Sequence, residues 1–407
     1  LQKNLNIKEG APDIKLRTDR LDRVISMVTK NEKAIIAALQ EDFGNRDPVM
    51  TAATEVVSVV GPMEHAKKNL KKWMKTEKRK AAIAPLGSAL SLLGAKAEIR
   101  YQPKGVVGAI SPWNFPVAIL IGQISAALVT GNKVTVKPSE HTSILGYMVV
   151  KKFHNNGVPL SALELVLGDG KYGDALSKIN KLSGVAFTGS LPTAKKIQNN
   201  LNQNQKEILP LIAETGGINA MIVDSSALLE QATDDIVRSA FDSSGQRCSA
   251  LRVLCIQDEI YDDLLEMIKG NMEELKIGNP ENLDTDIGPI INIASKTKLD
   301  KYIKDSVDKG FGVYQSEPSI LESVVSPTII EINKLNDLSE EQFGPILHVL
   351  KFKSSEISNL ISEINDTGYG LTMGIHTRIE SRADLFSQKC NVGNVYINRD
   401  MVGAVVG

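Results

Sequence analysis

The stretch Val106-Val-Gly-Ala-Ile-Ser-Pro-Trp-Asn-Phe-Pro116 decides how the rest of this chain is read. Its first five residues are short and apolar, as in a buried strand, and the two prolines then fix a turn. An apolar helix is expected behind that turn over Val117 to Thr130, and a second strand over Lys133 to Val136. Strand, helix and strand in this order are the βαβ unit of a parallel sheet. Ligands of such sheets bind beyond the carboxyl ends of the strands, where Asn114 could donate its amide to a developing oxyanion. Asn114 could equally be an Asx-turn residue in a proline-rich loop.

The alternation continues on the C-terminal side. Strands are expected at Leu163 to Leu167, Gly184 to Phe187 and Ile208 to Ala213. A second α/β series follows Gly217, with strands at Ala220 to Val223 and Leu251 to Ile256, helices at Gln231 to Phe241 and Tyr261 to Leu275, and an end near Tyr396 to Asn398. On the N-terminal side, Leu21, Ile25, Val28, Ile35, Ile36 and Leu39 recur at helical spacing behind the capping candidates Thr18 and Asp19. Lys67 to Lys80 carries eight basic residues around Trp73. A solvated helix face with Trp73 packed beneath it is the favoured reading over an anion site. At 407 residues the chain exceeds one ordinary core. Two α/β domains are expected, the first binding a nucleotide, with the active site where the two meet.

Composition narrows the function classes. With 42% apolar and 23% charged residues and a net charge of −1, the chain reads as a soluble globular protein with no global pull toward nucleic acid or anionic membrane. A small-molecule substrate is expected. Three cysteines and five scattered histidines form neither a disulfide framework nor a CxxC or HExxH metal site, so a reducing cytoplasm without a required metal fits. No apolar run reaches the roughly 18 residues of a membrane span.

The chemistry-bearing residues are Cys248, in Phe241-Asp-Ser-Ser-Gly-Gln-Arg-Cys-Ser249, and Glu214, in Glu214-Thr-Gly-Gly217. A thiolate can attack a carbonyl, and a carboxylate can activate the water that hydrolyses the resulting thioester. Cys248 could also be an inert core thiol, but Ser244, Gly245 and Ser249 would let a substrate approach closely. Glu214 could merely cap a turn. Cys255 lies in an apolar run and reads as core; Cys390 reads as structural. Lys137-Pro-Ser-Glu140 closes a strand with an ammonium and a carboxylate suited to a ribose, and Phe187-Thr-Gly-Ser190 opens a helix whose free N–H groups suit a pyrophosphate. Gly168, Gly170 and Gly173 have GxGxxG spacing without the matching acidic residue, and turn glycines explain them as well.

Taken in order, PWNFP, KPSE, FTGS, ETGG, GQRC and Glu340-Glu-Gln-Phe-Gly-Pro345 resemble the NAD(P)-dependent aldehyde dehydrogenase superfamily over essentially the whole chain. The resemblance implies a Rossmann-like domain over 1–215 and a catalytic domain over 216–398. A small oligomerisation strand, with Ala97 to Gln102 as the candidate, would support a dimer or larger homo-oligomer. It makes Cys248 the nucleophile, Asn114 and the Cys248 N–H the oxyanion hole, and Glu214 the deacylating base. Lys137 and Glu140 would hold the adenosine ribose, Gly189 and Ser190 the pyrophosphate, and Glu341 the nicotinamide ribose, with Trp113 and Phe343 close by. Glu140 favours NAD over NADP, because a carboxylate repels a 2′-phosphate. Glu214 argues against the acylating branch.

From Pro112 onward the chain is most similar to the aldehyde dehydrogenase domain of bifunctional proline-utilisation proteins, which oxidise L-glutamate γ-semialdehyde. That resemblance implies Ser249, Gly403 and Ala404 as anchors for the substrate carboxylate, with Phe241 nearby. A hydroxyl and two backbone N–H groups make a sensible anion site. Residues 11–110 instead resemble the coniferyl-aldehyde and class 3 branch, which keeps an aromatic or medium-chain aldehyde open as the substrate. The relatives continue past Gly407, so 399–407 is expected to be the start of a substrate-anchor segment, apparently truncated. A catalytically silent binding protein is the third reading.

Overall fold

The computed structural model describes residues 2–43, 46–80, 92–204, 207–318, 321–401 and 403. The chain divides into two compact units, Leu1–Asp42 with Val49–Glu214 and Phe43–Pro48 with Thr215–Val406.

In the first unit a two-stranded antiparallel sheet pairs β1 (Glu77–Arg79) with β2 (Ala97–Ile99). The main sheet holds β3 (Val106–Ile110), β4 (Lys133–Lys137), β5 (Leu163–Leu165), β6 (Gly184–Gly189) and β7 (Leu211–Thr215), in the order β5-β4-β3-β6-β7. Pairing of β3 with β4 and β6, and of β4 with β5, is parallel. The order reverses at β3, which makes the gap between β3 and β6 the switch point where open α/β sheets hold ligands. Register does the rest. Ile110 is the partner of both Lys137 and Phe187, so PWNFP, KPSE and the FTGS turn leave the sheet at one level of one edge.

Helix Ala118–Val129 follows the PWNFP turn as expected. Its entry is fixed by Glu55, which is 0% exposed and accepts from the N–H groups of Val117 and Ala118 at 3.0 and 2.8 Å. A buried carboxylate here satisfies donors that a helix start leaves orphaned and faces the positive end of the dipole.

Two expectations for the N-terminal helices fail. Helix Ile14–Lys30 starts at Asp13, whose side chain accepts from the Leu16 N–H at 2.8 Å, not at Thr18 or Asp19. The apolar side chains of its first turn, Ile14 and Leu16, are exposed, so the buried apolar periodicity begins only at Leu21, well after the cap; Asp19 instead pairs with Arg23 one turn on. Nor is Lys67 to Lys80 one helical face. The helix ends at Trp73, the chain enters β1 at Glu77, and Trp73 is 44% exposed because no further turn covers it.

The second unit is built on seven strands in the order β10-β11-β12-β9-β8-β13-β14: β8 (Asn219–Val223), β9 (Leu251–Gln257), β10 (Gly312–Gln315), β11 (Thr328–Ile332), β12 (Ile346–Phe352), β13 (Thr372–His376) and β14 (Asn394–Ile397). Only β10 is antiparallel to its neighbour. Every residue of β9 is buried, as expected of a strand covered on both faces. Alternate side chains feed two cores: Ala220, Ile222, Val253 and Cys255 point to one, Met221, Val223, Leu254 and Ile256 to the other. Truncating one of these large side chains to alanine costs about 2–5 kcal/mol. Cys255 is core, as its apolar run predicts, and Cys390 is buried in the same cluster.

Candidate active site

Helix Leu229–Phe241 delivers the chain to a tight turn over Asp242–Gly245 and then to β9. Ser243, Ser244 and Gly245 all have φ between 55 and 65°, in the left-handed region. Glycine adopts it freely, but each serine costs roughly 1–3 kcal/mol and persists only where its surroundings demand it. Those demands are visible. The buried Ser244 hydroxyl donates to the Gly288 carbonyl at 2.8 Å and accepts from the Gly288 N–H at 3.1 Å. Gln246 accepts from the Ile291 N–H at 2.9 Å, and Arg247 donates to the Ser243 hydroxyl at 3.0 Å. A Cβ on Gly245 would collide with the Gly344 carbonyl oxygen, so glycine is required for backbone to lie on backbone.

Cys248 sits at the exit of this turn, half-buried. The Asn219 amide donates to the carbonyls of Cys248 and Ala250 at 2.7 and 2.9 Å and accepts from the Thr372 N–H at 3.2 Å, tying the loop to β8 and β13. Thr372 donates its hydroxyl to the Ser249 carbonyl at 3.2 Å. The Ser249 hydroxyl accepts from the Gly403 N–H at 3.2 Å, and the Tyr396 hydroxyl donates to the Gly403 carbonyl. Two expected carboxylate anchors are thus hydrogen-bonded to each other, one of them the residue after Cys248; Ala404 is outside the described residues. Phe241 is 1% exposed and packs in the core below the loop.

The electrostatics keep the sulfur protonated at rest. Burial pushes the Cys248 thiol up and the Glu341 carboxylate adds to this; the Cys248 N–H, Arg252 and the Ser249 N–H offset them in part. Glu341 itself is raised, chiefly by burial, despite its ion pair with Arg252 at 3.2 Å and the Gly217 N–H bonded to it. A Cβ on Gly216 would collide with that carboxylate, so the first glycine of ETGG is what admits Glu341. Phe343 lies over Arg252, 5.3 Å from guanidinium carbon to ring centre.

In the first unit the dinucleotide candidates gather at the shared strand level. Buried Lys137 donates to Glu140 at 3.1 Å and to the Pro138 carbonyl at 3.1 Å. Burial opposes the Glu140 charge, yet its own N–H, the Lys137 ammonium and His141 hold the carboxyl below its usual range. Gly173 packs its backbone on the Lys137 stem, with Lys137 Cδ at 3.5 Å from where a Cβ would be. Gln123 links the end of β3 to the FTGS turn, accepting from Ser111 at 2.7 Å and donating to the Thr188 hydroxyl at 3.3 Å. Ser190 stands at the start of helix Leu191–Asn204, its hydroxyl 2.9 Å from that of Thr193, and Gly189 precedes it against the Phe187 ring. Trp113 and Asn114 are half-exposed in the PWNFP turn, and Glu214 is exposed near the end of β7. A paired ammonium and carboxylate beside a helix start suit the two ends of an adenosine diphosphate, so these residues fit a dinucleotide.

Asn219 and Arg252 were missed from the sequence. Each interrupts an apolar run, Ile218-Asn-Ala-Met-Ile-Val223 and Leu251-Arg-Val-Leu-Cys-Ile256. A polar group forced into a buried strand must find partners, and that requirement is the signal that could have found them.

A model of the aldehyde dehydrogenase family matches residues 10–407. Over 319 residues the chain is 46% identical to the bifunctional protein PutA of Klebsiella aerogenes, covering 75% of this chain and 24% of that protein. Over 402 residues it is 31% identical to a 1-pyrroline-5-carboxylate dehydrogenase of Anoxybacillus flavithermus, covering 96% and 75% of the two chains. A crystal structure of bifunctional proline utilization A matches with a TM-score of 0.91 at 37% identity, over 100% of this chain and 40% of that one. The chain spans about a quarter of the length of the PutA relative it matches.

Proposed function

Because this chain belongs to the aldehyde dehydrogenase family, we propose that it oxidises an aldehyde to its carboxylate with NAD, and that L-glutamate γ-semialdehyde is the preferred substrate. The observation that carries the reading is the over-determined turn that presents Cys248, together with the Ser249–Gly403 contact beside it. The strain in that turn is spent on the orientation of one sulfur. Its neighbours supply a hydroxyl and a backbone N–H that could share a substrate carboxylate, and the names of the relatives point to a substrate that carries one.

In this mechanism the Cys248 sulfur, once deprotonated, bonds to the carbonyl carbon, and the oxygen takes the negative charge as a thiohemiacetal. Asn114 and the Cys248 N–H would stabilise that oxygen, a role typically worth 10²–10³ in rate per donor. The chemistry that NAD would supply when bound is that of a hydride acceptor, which takes the carbon from the aldehyde to the acyl oxidation level. The thioester on Cys248 is then attacked by water, with Glu214 taking the proton; the carbon–sulfur bond breaks and the acid departs. Lys137, Glu140, Gly189 and Ser190 would hold the adenosine diphosphate, and Glu341 the nicotinamide end, with Trp113 and Phe343 as further cofactor-binding candidates. The charged Glu140 supports NAD over NADP. In this reading residues 1–215 are the dinucleotide-binding domain, which also supplies Asn114 and Glu214, and residues 216–398 the catalytic domain, which supplies Cys248 and Glu341. The exposed β1–β2 pair supports assembly into a dimer or larger oligomer, and three free thiols support a reducing cytoplasm.

NADH formation with glutamate γ-semialdehyde, coniferaldehyde and hexanal tests the assignment. A higher kcat/KM for the charged substrate is expected, and preference for an uncharged aldehyde rejects the carboxylate anchors.

A further inference from the structure

Arg252 is a permanently charged side chain inside a fully buried strand, 0% exposed. Its guanidinium donates to the Arg247 carbonyl at 3.0 Å, the Gly344 carbonyl at 3.1 Å and the Glu341 carboxylate at 3.2 Å, while Nε finds no partner. The first contact is on the residue before Cys248 and the other two are on the Glu340–Pro345 segment. A guanidinium does not lose its proton in a protein, so one buried this deeply needs a counter-charge, and Glu341 is the one it touches.

We propose that Arg252 is the positioning residue of the nucleophile loop: a buried cation that holds Glu341 ionised beside Cys248 and binds the Arg247 and Gly344 carbonyls into one frame. The other groups around this pair do not replace it. His348, behind Arg252, donates from Nδ1 to the Arg252 carbonyl at 3.0 Å and is pushed down to about 4 by burial, so it brings no positive charge at neutral pH. Arg247 faces Asp242 at 3.7 Å, with Arg46 and Asp400 contributing, while Glu340 and Tyr369 flank Glu341. Glu341 raises Cys248 and Arg252 lowers it, the carboxylate the more strongly, so the cation offsets part of the field at the sulfur. Without Arg252 the carboxylate would be an unpaired buried charge and would take up a proton near neutral pH.

The inference rests on Cys248 being the nucleophile, and it is tested on the protein without substrate or cofactor. The rate of iodoacetamide labelling of the Cys248 peptide is followed by mass spectrometry from about pH 5 to 10, a range that spans the buried-carboxyl and thiol titrations. Wild type should show the thiol titration and no Glu341-dependent break near neutral pH. Arg252→Met should add a second break in the log-rate profile near neutral pH, as Glu341 titrates. The break should vanish in Arg252→Met with Glu341→Gln and be absent in Arg252→Lys, which keeps a cation. A merely structural arginine would alter melting temperature without creating a break that depends on Glu341. If Arg252→Met does not fold, Glu341→Gln alone decides: labelling at pH 7 should rise several-fold to about tenfold, the effect of up to one pH unit on the thiol. A wild-type profile in Arg252→Met, a break that survives in the double variant, or unchanged labelling in Glu341→Gln overturns the proposal. Failure of the nucleophile assignment would show separately, as dehydrogenase activity surviving Cys248→Ala.

Discussion

The two units hold their functional residues by different means. In the first, PWNFP, KPSE and FTGS are adjacent because three parallel strands end in register, Ile110 against Lys137 and Phe187. Backbone pairing does the positioning there, and each motif needs only a strand in front of it. In the second, the Cys248 turn is held by side chains and carbonyls from remote segments: Asn219, Arg252, Gly288, Ile291, Gly344 and Thr372. A site for a large cofactor can rest on regular sheet geometry, whereas a nucleophile that must meet one carbon is pinned from many directions.

The sharpest way to break this contrast is Cys248→Ala. Turnover should fall by roughly 10⁴–10⁶-fold while NAD binding by calorimetry stays unchanged, since the cofactor candidates owe nothing to the sulfur. Next in size is Gly245→Ala, which combines a left-handed φ of 65° with a collision against backbone. It should cost about 2–4 kcal/mol in urea unfolding and lower kcat, because no flexible atom can move aside. Comparable glycine changes at the solvated Gly61 should do neither.

Acid should also separate the two regions. His348 and His376, both in the second unit, are pushed from 6.5 down to about 4, chiefly by burial. The unfolded chain binds protons that the folded one refuses, so this stability is present above about pH 6.5 and is lost as pH falls toward 4. A loss of about 1–3 kcal/mol per histidine is expected over that window, read as earlier urea unfolding of β12 and β13 by hydrogen–deuterium exchange. The smallest effect belongs to the first unit. Glu140→Gln should weaken NAD binding by only about 1 kcal/mol, because the group is half-exposed, and should narrow the gap between NAD and NADP in the same titration.

Much of this was legible in the sequence for the same reason that the units differ. Strand ends and turns carry their own local chemistry, so Val106–Ile110, Lys133–Lys137 and the apolar β9 could be placed from spacing and composition alone. The motifs that resemble a known family then named the residues at those ends. What escaped was interaction at a distance. That Glu55 would cap a helix more than sixty residues later, that Asn219 would hold Cys248, or that Ser244 would adopt a left-handed turn depends on partners no window of sequence contains. The misplaced start of the Ile14–Lys30 helix has a simpler cause: a solvated first turn shows no apolar period, so the pattern begins after the helix does.

The backbone contact between Gly245 and Gly344 has a consequence for motion. Catalytic loops commonly open at little cost, exchanging their amide protons long before the surrounding sheet. Here the turn before Cys248 is wedged against the segment that leads into β12, so neither can breathe alone. Local opening at the sulfur is therefore expected to lift the start of β12 with it, so that the amides of Gly245 and Ile346 exchange together.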